Sequence, residues 1–283
     1  MTRRERRQEL GELLRSRREG LRPEDLGLPR GERRRARGLR RDEVAAASGV
    51  SVSWYTWLEQ GRRIHPSANA LRRICKALRL TEAEHEYVSL LTEKDVREQS
   101  NLGTEDYAGR LAAVQSTLDA LGSTPALLYN GRFDIVAANP AASAIYLGGG
   151  DSGSWDRNMV WRFFMDEERR DLYPDGTSDR GVRNLIEALR LNRASPEGGD
   201  SVNELIDELR TRSFEFDAIW KEHCVARLSM VPGRVRLDRR SSPIRVNYTR
   251  FYVPTMPGCA MAVLMPASAE EAAILERHID RIA

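Results

Sequence analysis

The stretch Leu39–Arg63, LRRDEVAAASGVSVSWYTWLEQGRR, limits the fold more than any other part of the chain. Val44, Ala45 and Ser48 share a helical face, Gly49 stops that helix, and Ser51 or Ser53 can cap the next one. Tyr55 and Leu58, three residues apart, give the second helix an inward side. Its outward side offers Val52, Ser53, Thr56 and Trp57, with Arg40 and Arg41 before it and Arg62 and Arg63 after it. Two short helices around a glycine corner, the second bracketed by arginines, suit a recognition helix laid in a major groove. On that reading Val52, Ser53, Thr56 and Trp57 face base edges, while Arg40, Arg41, Arg62 and Arg63 meet phosphate. An ordinary helical hairpin shares the same corner, so the distribution of charge has to separate the two.

Residues 1–80 hold 21 Lys+Arg against 10 Asp+Glu, whereas residues 81–283 hold 24 against 32. A basic module joined to an acidic one is expected when the first meets a polyanion and the second does not. Leu21–Gly38 adds Arg33, Arg34, Arg35 and Arg37 in a stretch whose prolines and glycines forbid a continuous helix. This basic loop reads either as an arm along the DNA backbone or minor groove, or as a solvated loop. Three widely spaced cysteines, Cys75, Cys224 and Cys259, argue against a disulfide framework or a zinc site and read as buried thiols. The longest apolar run, near Cys259–Ala267, is too short to span a bilayer, and no apolar signal core opens the chain. The expectation is a cytoplasmic protein that meets the nucleoid when bound to DNA.

Helices flank the opening stretch. One runs from about Thr2 to Arg18. A second begins after His65–Pro66–Ser67, with Leu71, Ile74, Cys75 and Leu78 facing inward. A third, at Thr81–Leu91, opens with Thr81 and Glu84 in capping-box spacing. An all-α domain over 1–92 follows, then a polar linker over 93–106. In residues 107–283 a helix with Leu111, Val114, Leu118 and Leu121 precedes a hairpin, Leu127–Tyr129 and Phe133–Ala137, about a primed Asn130–Gly131 turn. Asn139–Pro140 then starts a helix, and more helices follow at about 159–171, 180–192, 202–210 and 214–222. Alternation returns at Val235–Leu237, Ile244–Tyr248 and Ala260–Leu264, with a terminal helix at Glu270–Ile282. Apolar residues on both faces at Phe251–Val253 suggest a bulge or deep burial. Strands on either side of a helical insertion imply one antiparallel sheet closed by distant segments, so the second domain is α+β.

Residues 39–61 resemble the xenobiotic-response-element type of helix-turn-helix through Leu39, Glu43, Val44, Ala45, Gly49, Val50, Ser51, Leu58, Glu59 and Gly61. More narrowly, GLPRGERRRARGLRRDEVAAASGVS and WYTWLEQGRR are similar to the bacterial MmyB-like regulators. The resemblance continues through Asp134–Ile135–Val136, Asn139–Pro140–Ala141–Ala142, Asn158 before Trp161–Phe164, Leu172–Tyr173–Pro174–Asp175, and Phe216–Trp220 ahead of His223. It implies a PAS-like sensor domain with an apolar cavity, joined to the helix-turn-helix in a transcription regulator linked to secondary metabolism. Two positions depart from the family pattern. Trp57 stands where an arginine is common and Trp54 where tyrosine is usual, so a guanine contact gives way to packing on a thymine methyl or a sugar.

With that implication, Tyr129, Phe133, Ile135, Trp161, Phe164, Trp220, Tyr248 and Phe251 are candidates to line a ligand pocket, with an arginine or Asn139 holding a head group. The same side chains would serve an ordinary core. The expected partners are double-stranded DNA, a small apolar or fatty-acid-like effector and a second copy of the chain, with no membrane and no cofactor. Two rivals stay open: a constitutive dimeric DNA-binding protein whose second half only dimerises, and a haem- or flavin-binding PAS sensor. No catalytic residue or metal set is assigned. Gly150–Asp151–Ser152–Gly153 spells a protease-like signature inside a Gly/Ser loop, His223–Cys224 is an adjacent pair with poor geometry for catalysis, and His65, His85 and His278 are scattered.

Overall fold

Helix ends in this chain fall where a side chain can replace a missing backbone partner. The computed structural model describes residues 1–28, 38–92, 106–147, 155–172, 179–195, 199–228, 233–238 and 240–282. The basic cluster Arg33, Arg34, Arg35 and Arg37, the linker at 93–105 and the Ser152 loop lie outside them. Thr2 and Glu5 form a reciprocal capping box that opens α1 (Arg3–Gly20). Arg40 donates its backbone N–H to Glu43 at the start of α2 (Arg41–Ser48), which Gly49 ends in the left-handed region at φ 64°. Ser51, rather than Ser53, caps α3 (Val52–Glu59) by accepting from the Trp54 N–H. Ser67 does the same for α4 (Ala68–Ala77), and Thr81 with Glu84 for α5 (Glu82–Thr92).

None of α2 to α5 is long enough to persist alone in water, so burial must hold them. Leu13, Leu14, Leu39, Val44, Ala45, Tyr55, Ile74, Leu78 and Tyr87 are all at or near complete burial. A buried leucine or isoleucine contributes about 1.5–3 kcal/mol, far more than helix propensity can supply. α1 packs on α3 and α5, and α2 on α3 and α4. Gly11 makes the α1–α3 contact unusually close: a Cβ there would stand 2.4 Å from the Glu59 carbonyl oxygen.

This helical unit comprises Met1–Val96 together with Trp220–Arg227, and the second unit comprises Arg97–Ile219 with Leu228–Ala283. The eight residues Trp220–Arg227 are thus placed by the fold in a unit that sequence reading assigns to the N-terminal domain alone. In the second unit α6 (Tyr107–Asp119) precedes β1 (Ala126–Asn130) and β2 (Ile135–Ala138), followed by α7 (Pro140–Tyr146). Next come α8 (Met159–Met165), α9 (Glu167–Arg170), α10 (Asp179–Ala194), α11 (Gly199–Arg212) and α12 (Phe214–Trp220). β3 (Gly233–Val235), β4 (Ile244–Tyr252), β5 (Cys259–Pro266) and α13 (Ala269–Ile282) complete it. The antiparallel sheet has the order β2-β1-β5-β4-β3, so β1 and β5, from opposite ends of the helical insertion, close it as expected.

One face of the sheet packs Ala126, Leu128, Ala137 and Val263 against Val114 and Leu118 of α6. On the other, Val235, Ile244 and Val246 meet Ala141 and Ile145 of α7 and Leu275 and Ile279 of α13. Asn139 joins these layers. Its side chain accepts from the N–H groups of Ala126 and Ala142 and donates to the carbonyls of Leu118, Gly122 and Thr124.

Three expectations change. The hairpin does not turn on a primed Asn130–Gly131 pair, because Gly131 does not take a positive φ; Phe133 does, at 68°, after a turn closed by its own N–H on the Asn130 carbonyl. Asn130 Oδ1 also accepts from the N–H groups of Arg132 and Asp134, and this side-chain bonding favours the longer loop. Phe251 and Tyr252 are neither bulged nor buried, being 46% and 71% exposed on a β4 that pairs with β5 in continuous register. Of the three free cysteines only Cys75 is fully buried, which pushes its thiol up to about 11.

Asn139→Ala removes a cap and several buried hydrogen bonds at once. The expected outcome is a loss of roughly 2–3 kcal/mol from the second unit, read by urea unfolding of the full chain. A loss within error of zero would show that Asn139 does not join the layers.

Candidate nucleic-acid interface and ligand-binding face

The inward face of α3 is held by charge as well as by packing. Glu59, its last residue, is buried and receives three guanidinium groups. Arg18 donates from Nη2 at 2.6 Å and from Nε at 3.1 Å, Arg41 from Nε at 3.1 Å, and Arg15 from Nε at 3.4 Å. Arg18 also donates to the Leu39 carbonyl, fixing the entry to α2. Burial alone would raise the Glu59 pKa. The hydrogen bonds and charges of Arg18 and Arg41 outweigh it and hold the carboxyl below its usual value. Tyr55, one turn earlier, is pushed the other way, first by burial and then by the Glu59 charge.

On the outward side, Val52, Ser53 and Trp57 are exposed and Thr56 is half-buried, as the spacing predicts. The Thr56 hydroxyl donates back to the Val52 carbonyl at 2.7 Å, which leaves its oxygen outward as an acceptor. Trp57 is 42% exposed, with the Arg62 guanidinium 6.0 Å from the centre of its ring, so it is a surface residue rather than part of the domain's own core. Arg40, Arg62 and Arg63 are exposed and available to an anion. Arg41 is different: it is bound to Glu59, so its first role is to hold α2 against α3, a role that spacing does not show.

In the second unit the sequence candidates separate. β-sheet register places Tyr129 and Tyr248 on the side covered by α7 and α13, with Ala260, Ala262 and Leu264 of β5 between them. Tyr129 stacks on Phe133 with ring centroids 5.6 Å apart, and Ile135 pairs with it across the hairpin. Trp161 is buried, while Phe164 meets Phe216 edge to face at 5.3 Å. Three candidates fall elsewhere. Asn139 is fully engaged with backbone, Phe251 registers with Met261 and Leu128 on the opposite sheet face, and Trp220 lies in the first unit. The alternation of a strand fixes Phe251's face once its neighbour Arg250 is known to point the other way.

Arg250 is a residue that apolar periodicity passes over. Its guanidinium lies 5.8 Å from the centre of the Tyr129 ring and 4.9 Å from that of Tyr252. Among the described residues the buried Tyr129 hydroxyl and the buried Arg250 Nε make no hydrogen bond of ordinary geometry, and the Arg250 guanidinium is the donor that acts on that hydroxyl. Burial raises the Tyr129 pKa, and the Arg250 charge opposes that rise. A second arginine, Arg190 of α10, is 1% exposed. His223 and Cys224 form no nucleophile pair: the imidazole nitrogens stand 3.8 Å from Glu9 and Glu12, and the Cys224 sulfur lies 3.7 Å from the Glu222 carbonyl.

A helix-turn-helix with its outward residues bracketed by arginines, followed by an α+β domain, defines a DNA-binding regulator fused to a ligand-binding module. Residues 30–88 match the helix-turn-helix domain family, and residues 111–277 match the MmyB-like transcription regulator ligand binding domain. The chain belongs to this family of transcription regulators. No curated protein sequence matches it.

The Glu59 cluster carries a pH dependence whose sign is fixed. A carboxyl whose folded pKa lies below its unfolded value stabilises the fold at pH above that unfolded value, near 4.5, and the contribution is lost as pH falls through the folded pKa. Glu59→Gln should flatten that acid limb in unfolding measured across pH. Glu59→Ala should cost about 3–5 kcal/mol at neutral pH, because it strands the buried Arg18. An unchanged acid limb in the Gln variant would rule the cluster out as its origin.

Proposed function

We propose that the chain is a sequence-specific, homodimeric regulator in the cytoplasm. Its α3 helix reads base edges with Val52, Ser53, Thr56 and Trp57, while Arg40, Arg62 and Arg63 neutralise phosphate. Its second unit, a PAS-like sensor, takes a small apolar effector with an anionic head group. The effector reading is supported by one observation, the pairing of Tyr129 and Arg250 on the sheet face shared with α7 and α13, where a phenol hydroxyl and a guanidinium Nε are buried together without a hydrogen bond of ordinary geometry. Such groups are costly to bury unless something accepts or donates to them. A carboxylate bound by both would satisfy the guanidinium and the hydroxyl together, and Phe133, Ile135, Trp161, Phe164 and Tyr248 supply apolar surface for its chain.

The effector acts by differential affinity for two arrangements of the sensor, which changes the spacing of two DNA-binding heads. No helix among the described residues is long and apolar enough to cross a membrane, in keeping with a regulator that reaches DNA directly. The role proposed is regulatory rather than catalytic.

Two experiments test this reading. Operators selected from random duplexes for the wild type and for Trp57→Ala should differ at one or two positions per half-site; identical selected sequences would remove Trp57 from base readout. Sodium dodecanoate should raise the melting temperature of the full chain, and Arg250→Leu should weaken its binding roughly tenfold, the scale of one charge-assisted contact. Dodecanol should bind both proteins alike. Equal loss for acid and alcohol would mean that Arg250 shapes the site without reading charge.

A further inference from the structure

α1 opens against its own electrostatics. Its first two turns carry Arg3, Arg4, Arg6 and Arg7. The N-terminus of a helix is the positive end of its macrodipole, where carboxylates are favoured and cations are not. Glu5 is the acidic residue of the first turn, and its carboxylate already accepts from the Thr2 backbone N–H in the capping box. Arg3 with Arg6 and Arg7, three and four residues on, adds like-charge repulsion along one side of the helix. Arg6 has a structural use, since its Nη1 donates to the Leu90 carbonyl at 2.9 Å. Arg4 is exposed, and the Arg7 Nε has no hydrogen-bond partner among the described residues. Folding alone therefore gives no return for cations at these two positions.

Both sit beside the exit of α3, inside the helical unit. A Cβ on Gly61 would lie 3.1 Å from the Arg7 carbonyl oxygen and 3.3 Å from the Gln8 Cα, and one on Gly11 would lie 3.3 Å from the Gly61 N. Gly61 thus rests on the stripe of α1 made by residues 7, 8 and 11. Arg4, three residues before Arg7 and seven before Gly11, continues that stripe by one turn, about 5.4 Å. The residues that follow Gly61 are Arg62 and Arg63, both exposed, and the Arg62 guanidinium lies 6.0 Å from the centre of the Trp57 ring, on the outward side of α3. We propose that Arg4 and Arg7 contact DNA phosphate, extending the basic edge of Arg62 and Arg63 along the backbone past the end of α3. A duplex supplies a row of anions that a row of guanidinium groups fits, and it neutralises the cations that the helix end repels. Because α1 and α3 meet backbone to backbone, these contacts set the register of the base-reading row while carrying no base information themselves. The inference rests on the reading of α3 as the helix that meets DNA.

The test uses the full chain with Arg4→Gln, Arg7→Gln, the double variant and, as a reference, Arg62→Gln. Affinity for a duplex carrying the operator selected by the wild type is followed by fluorescence anisotropy as salt is raised. Each single variant should lower the log–log salt slope by about 0.9 and the double variant by about 1.8. Operators selected from random duplexes should be the same for the double variant as for the wild type. Without DNA the double variant should melt no lower than the wild type, because cations have left the positive end of a helix. A lower melting temperature with an unchanged slope makes the arginines structural and overturns the proposal. So does a slope that falls for Arg62→Gln alone, which leaves the α3 reading standing and gives the α1 arginines to some other anion. A changed operator overturns the phosphate assignment in favour of base contact. A wild type that selects no operator overturns the α3 reading, and this inference with it.

Discussion

The N-terminal unit is organised by the buried carboxylate of Glu59. Taken alone such a charge would cost several kcal/mol in the interior, and it is tolerated only because guanidinium groups reach it from two other helices. Arg18 and Arg15 come from α1 and Arg41 from α2, so all three helices must be in place together. Apolar contacts tolerate some sliding, whereas this cluster does not. It specifies the placement of the recognition helix more than it adds to net stability, and Arg18 extends the constraint to the start of α2 through the Leu39 carbonyl.

The second unit solves a different problem. Its sheet depends on β1 finding β5 across more than a hundred residues, and the joints that make this reproducible are polar. Asn139 ties α6, β1 and α7 to one amide, and Asn158 caps α8 while donating to Arg132 and Asp134 in the hairpin loop. Several residues that carry the family resemblance thus hold backbone rather than ligand.

Much of this was legible in the sequence because caps and periodicity are local. Ser67, Thr81 with Glu84, and Asn139 mark helix starts through their own hydrogen bonds, and the exposed row on α3 follows from a 3.6-residue repeat. What was not legible depends on distant partners. Arg41 reads as a phosphate ligand from its place at the start of α2, and what spacing does not show is its bond to Glu59, eighteen residues on. Phe251 reads as core because β4 becomes apolar on both faces, yet at that end of β4 neither face is covered: Phe251 and Tyr252, on opposite sides of the sheet, are both exposed. Trp220 reads as pocket because it is aromatic and near Phe216, and no local signal tells that the chain changes unit at that residue.

Gly11 and Gly61 bring α1 and the end of α3 together backbone to backbone, with the Cβ positions only 2.4 Å from the Glu59 oxygen and 3.1 Å from the Arg7 oxygen. No layer of side chains lies between them to repack or absorb motion. α1 and α3 are therefore joined as one body. Whatever displaces α1 must carry α3 with it, since nothing between the two backbones can give.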